Sequence, residues 1–264
     1  KDQSLSDLIE NNYKKKNLII EVLKKEKKFN LKDKIIYFKK ILYNLKNIKT
    51  GNGKVFFKSE NETIFLDILT HFNISKAEKG LYETSYWGSL YKNLNNYKKE
   101  YKWLHVFYPQ KKINNIKEAN LLLNKLNKTE NENKHFLIEN FFGIKDILKF
   151  LKIYFTLFLK YFIYSNQLNI KKNSHLSCFN KYLKPYIVDS FLGLASVRNI
   201  FFFIYFSNLI MKIYNPKKII YVMENLNFEI ILNYLWRKNF KSHIIGFPHS
   251  SVRFWDLRYF MIQP

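Results

Sequence analysis

Apolar and polar positions along the chain alternate in two rhythms, one of helical period and one of short, dense apolar runs. Residues 4 to 48 read as Lys-rich helical segments, and "TGNG" (50 to 53) is a turn before a short strand candidate, "KVFFKS" (54 to 59). A helix is expected over "NETIFLDILTHFN" (61 to 73), followed by a loop carrying Ser85, Tyr86 and Trp87, a short helix, and a strand, "KWLHVFYP" (102 to 109), ended by Pro109. "IKEANLLLNKLNK", within 111 to 134, has helical spacing, and "KHFLIENFF" (134 to 142) is a further strand candidate. Two long helices are expected at 143 to 165 and 185 to 214, separated by the polar stretch "NQLNIKKNSHLSCFNK".

The last fifty residues have the clearest pattern. "PKKIIYVMEN" reads as a buried strand opened by Pro216, "NFEIILNYLWRKNF" as an amphipathic helix and "KSHIIGFPHS" as a second strand of similar apolar character. Strand, helix, strand at this spacing is a βαβ unit, which implies a parallel sheet with a right-handed crossover and an α/β fold flanked by helices. Ligands of such sheets bind beyond the carboxyl ends of the strands. Glu224 and Asn225 close one strand and His249, Ser250 and Ser251 follow the next, so the two groups are expected to share one rim.

Composition narrows the partners. With 45 Lys and Arg against 21 Asp and Glu, the formal charge is +24, which favours anionic partners. Most of that charge is Lys in a chain also rich in Asn, Ile, Phe and Tyr, the pattern of an AT-rich coding bias and of solvated charged faces. The lone Cys178 excludes an intramolecular disulfide and suits a reducing, cytoplasmic compartment. The longest apolar run, "IFFFIYFSNLIM" (200 to 211), is too short to span a bilayer. In "GIKDILKFLKIYFTLFLKYF" (143 to 162), Lys145, Lys149, Lys152 and Lys160 fall within about 80° of one another at ~100° per residue. This helix either packs on the core with a solvated Lys stripe or docks on an anionic membrane surface, such as the inner face of the cell membrane.

Candidate chemistry concentrates at the carboxyl-terminal motif, "GFPHSSVRFWDLRYF" (246 to 260). His249 is a candidate general base or anion donor, the alternative being a structural histidine. Arg253 and Arg258 offer planar forks for phosphate or carboxylate, and in a chain with only four Arg their presence in one motif is notable. Asp256 either pairs with one of them or contacts substrate, and Trp255 is either core or a platform for a sugar. Glu224 is a candidate catalytic carboxylate, while Glu229 supports it or adds negative charge at a helix N-terminus. There is no glycine-rich phosphate loop among the seven Gly, no metal-ligand spacing among the six His and the Cys, and no GxSxG elbow.

"YETSYWGSLYKNL…KWLHVFYP", "YVMENLNFEIILNYLWRKN" and above all "IIGFPHSSVRFWDLRYF" resemble a bacterial surface carbohydrate biosynthesis family of O-antigen and capsule gene clusters, itself similar to glycosyltransferases with two Rossmann domains (GT-B). The resemblance implies that residues 1–245 form a helix-rich, Rossmann-like, acceptor-side domain. Residues 246–264 would be a cleft motif leading to a second domain, so the chain is expected to be the amino-terminal part of a longer protein. It marks Ser85, Tyr86, Trp87, Trp103, Leu104 and His105 in the first half, and Glu224, Asn225, Glu229, His249, Ser250, Arg253, Trp255, Asp256 and Arg258 in the second. It implies transfer of a sugar from a nucleotide-activated donor to a glycan or lipid-linked acceptor, with His249 and Glu224 catalytic and no cofactor beyond the nucleotide-sugar substrate. The alternative from composition is a non-catalytic basic module for nucleic acid or anionic membrane.

Overall fold

The computed structural model describes residues 62–88, 90, 93–94, 101–130, 134–164, 191–224 and 226–248. Among them five parallel strands form one sheet: β1 (Thr63–Ile68), β2 (Tyr101–Val106), β3 (His135–Leu137), β4 (Lys218–Met223) and β5 (His243–Pro248), in the order β3-β2-β1-β4-β5. The helices are a single turn, α1 (Ile74–Ala77), then α2 (Ile116–Thr129), α3 (Lys145–Tyr164), α4 (Leu194–Ile210) and α5 (Asn227–Asn239). This is an α/β Rossmann-like fold, with the chain growing outward from β1 in one direction and from β4 in the other.

β1 corrects the expectation of a helix over 61 to 73. Thr63, Ile64 and Ile68 are β-branched, and every residue from Ile64 to Ile68 is buried because β2 and β4 flank the strand and both its faces are covered. Such a run has no polar face, so periodicity does not separate it from a buried helix. The strand expected at 54 to 59 lies outside the described residues, as do residues 4 to 48. The remaining described elements fall close to expectation, although β3 is cut to three residues by a 3-10 turn, Ile138–Phe141, and the later long helix bends at Gly193 and ends at Ile210, short of the expected 214.

The described residues fall into two compact units. Residues 155–164 and 191–197 belong to one, in which Tyr161 and Phe191 lie 6.1 Å apart between ring centroids. The other holds the sheet. On one sheet face Phe65 stacks on Trp103 at 4.7 Å, and Ala119, Leu123 and Leu126 of α2 close over the same cluster. On the other, Asn233 of α5 donates to the Tyr221 hydroxyl at 2.9 Å, and Phe202 and Phe206 of α4 pack on Phe228 of α5. α4 is apolar nearly all round, as a helix buried on several sides must be. α2 starts where Asn115 accepts from the Glu118 backbone N–H at 2.9 Å and Glu118 accepts from the Asn114 N–H at 2.7 Å, which satisfies donors that the first turn would leave open.

Candidate active site at the switch point of the sheet

The strand order reverses between β1 and β4, and the crevice outside the carboxyl ends of these strands is the place where open α/β sheets bind ligands. β1 brings Asp67 to that crevice, the 3-10 turn Leu69–His71 brings His71, and the residue following β4 is Glu224. The three are joined through the imidazole: Nδ1 lies 2.7 Å from Asp67 Oδ1 and Nε2 lies 3.0 Å from Glu224 Oε1.

Asp67 is 1% exposed, and its burial is compensated. Oδ1 also accepts from the Ile68 backbone N–H at 2.7 Å, and Oδ2 accepts from the Thr84 hydroxyl at 3.1 Å and, at 3.5 Å, from Tyr82. These bonds fix the carboxylate, and the carboxylate fixes the ring. Burial alone would pull the His71 pKa down, but the hydrogen bond and charge of Asp67, together with Glu224, outweigh it and hold it above the ordinary 6.5. On the far side, the buried Glu229 accepts from the backbone N–H groups of Glu224 (2.8 Å) and Leu226 (2.9 Å), so it both caps α5 and holds the segment that presents Glu224.

Tyr86 covers the imidazole, its ring nearly parallel to that of His71 at 5.5 Å, and its hydroxyl donates to the Phe247 carbonyl on β5. The turn that carries it is tied to His71, whose carbonyl accepts from the Ser85 backbone N–H at 2.9 Å and from its hydroxyl at 3.2 Å. Beside this rim lies a hollow of about 870 Å³ lined by His71, Tyr82, Thr84, Ser85, Thr129 and Glu130 among others, a wall rich in hydroxyls. Since both ring nitrogens of His71 face carboxylates on opposite sides, the three groups form a chain and not a cage, and no cluster among the described residues could hold a metal ion.

Of the residues singled out in the sequence, Glu224 and Tyr86 meet at this rim through His71. Trp87 is 7% exposed and packs edge-on against Phe65 and Trp103, on the core side of the turn. His105 is fully buried: its Nε2 lies 3.1 Å from His135 Nδ1 and its ring stacks with that of His135, while burial first, and the His135 charge second, hold its pKa well below the usual value. It is a core histidine, remote from solvent. Trp103 and Leu104 are likewise core residues. Asn225, His249, Ser250, Ser251, Arg253, Trp255, Asp256 and Arg258 lie outside the described residues. β4 and β5 end level, Met223 opposite Pro248, so the chain leaves β5 at the height where Glu224 follows β4.

Sequence reasoning missed Asp67 and His71. The available signal was an acid inside the apolar run "IFLDIL" with a histidine four residues later, which a strand reading places at a strand end. Glu139 was missed too: it sits after β3, accepts from the Phe107 backbone N–H at 2.9 Å, and burial pushes its pKa up to about 7.

No protein-family model matches the chain, and neither a curated protein nor a solved structure does.

Proposed function

We propose that the chain is a glycosyltransferase of bacterial surface polysaccharide assembly, O-antigen or capsule, moving a sugar from a nucleotide-activated donor to a glycan or lipid-linked acceptor. The observation that supports this reading most is the Asp67–His71–Glu224 chain at the switch point of a Rossmann-like sheet. Sugar transfer needs a group that takes the acceptor's proton, an orienting partner for that group, and a hollow that holds a polyhydroxylated molecule. His71 supplies the first, Asp67 the second, and the hydroxyl-lined hollow the third.

In this mechanism the acceptor oxygen forms a bond to the anomeric carbon as the bond from that carbon to the donor phosphate breaks, and the nucleoside phosphate leaves with the electron pair. In this proposal the acceptor hydroxyl enters between Nε2 and the Glu224 carboxylate, which lie 3.0 Å apart without it; its proton passes to Nε2 of the neutral imidazole, Asp67 stabilises the resulting imidazolium through Nδ1–H, and Glu224 moves aside to accept a hydrogen bond from the acceptor. Positive groups at the departing phosphate stabilise developing charge, the part proposed for Arg253 and Arg258 in the motif that continues from β5. In this reading His71 takes the role expected of His249, and Glu224 keeps its place in the site.

The test is incubation with a panel of nucleotide sugars and lipid-linked or oligosaccharide acceptors, followed by mass spectrometry. The expected result is an acceptor heavier by one glycosyl residue, with nucleoside phosphate released in equal amount. No transfer across the panel, with steeply salt-dependent binding to generic DNA or RNA instead, would favour a basic binding module over the transferase.

A further inference from the structure

We propose that α3 docks the protein on an anionic lipid bilayer surface, lying in the plane of the interface. The helix carries three arcs. One is packed: Phe150 is 4% exposed and stacks on Phe201 at 4.6 Å. The second is apolar and open to solvent. Leu148, Leu151, Phe155, Phe158 and Phe162, at 73%, 48%, 59%, 38% and 59% exposure, fall within about 80° of one another at ~100° per residue. The third, adjoining it, holds Lys145, Lys149, Lys152 and Lys160.

The one acid on the helix, Asp146, is engaged elsewhere, accepting from the Gly143 backbone N–H at 2.7 Å and from Asn208 at 2.9 Å. No other acid occurs in the 20 residues of the helix, a length of roughly 30 Å. An open apolar stripe of this extent on a soluble surface marks an interaction site.

The neighbouring charge selects the occupant. A second copy of the chain would bring a second lysine row against the first, and like charges at a self-complementary contact oppose it. A polyanion in solution would match the lysines and leave the phenyl rings in water. An anionic bilayer meets both arcs: the rings enter the boundary of the acyl region while the lysines stay among negative headgroups, and the formal charge of +24 adds attraction from the rest of the chain. Among the described residues no helix is long and apolar enough to cross a membrane, so contact along the surface is the mode that this helix supports.

Cosedimentation of the full chain with vesicles tests the assignment. Vesicles containing phosphatidylglycerol should carry the protein down, and vesicles of phosphatidylcholine alone should not. Two variants divide the contribution: Phe155→Ser with Phe158→Ser and Phe162→Ser, and Lys149→Gln with Lys152→Gln and Lys160→Gln. All six side chains lie outside the packed arc, so circular dichroism should be unchanged. Removing three lysines should weaken binding about a hundredfold, at about fivefold for each near-surface cation, and the phenylalanine variant should lose binding even at low salt. Failure of anionic vesicles to bind, equal binding to neutral ones, or full retention by the phenylalanine variant would overturn the proposal. So would concentration-dependent self-association abolished by that variant, which would assign the stripe to a second copy.

Discussion

His71 is engaged at both ring nitrogens by carboxylates, and the energetic consequence runs through its protonation. Its pKa lies above 6.5, so the bridge contributes fully to folding below 6.5, where the ring is charged in both states, and that contribution is lost as pH rises through the raised folded value. Glu224→Gln removes one of the two charges that raise it. In histidine-ring NMR titrations the His71 pKa should lie above 6.5 in the wild type and fall in the variant, and the wild type's stability advantage should be larger at pH 6 than at pH 9; coincident titrations would mean that Glu224 is not coupled to the ring. The same shift sets the pH dependence expected of transfer, which should rise with pH through the His71 pKa as neutral imidazole becomes available. At this scale the sequence was half legible. Glu224 stood out at a strand end, and Glu229 as its support, because each sits at an element boundary with polar neighbours. Asp67 and His71 did not, because their pairing depends on a strand end and a 3-10 turn that the apolar run conceals.

Elements were legible where their two faces differ. α2 and α5 have a polar side and an apolar side, and both are helices close to their expected bounds. β4 and β5 were recognisable because Pro216 and the intervening amphipathic helix frame them, whereas β1 has no polar face to set its period. β5 shows how a single residue sets the fit between strands. A Cβ at Gly246 would lie 2.8 Å from the Tyr221 hydroxyl oxygen and 2.9 Å from its ring carbon, and Tyr221 is 5% exposed and held by Asn233, so it has no room to swing aside. Gly246→Ala should therefore lower the urea denaturation midpoint by the equivalent of about 1–3 kcal/mol, the usual cost of overpacking; an unchanged midpoint would show that β5 yields freely from β4.

For the whole molecule, topology does what no single motif does. Strands separated by more than a hundred residues, β1 and β4, become neighbours, and only that adjacency sets His71 within 3.0 Å of Glu224. The sequence distance between them, 153 positions, explains why a reading along the chain found one partner and not the other. Charge is unevenly spread at this scale: the rim at the switch point gathers Asp67 and Glu224 around His71, while four lysines border the open stripe of α3. The most direct measurement is kcat/KM for sugar transfer by His71→Ala against wild type, using a donor and acceptor pair that supports turnover. The expected loss is about 10²- to 10⁴-fold, the range of general-base catalysis, with the fold intact by circular dichroism; a folded variant transferring at the wild-type rate would remove His71 from the chemistry.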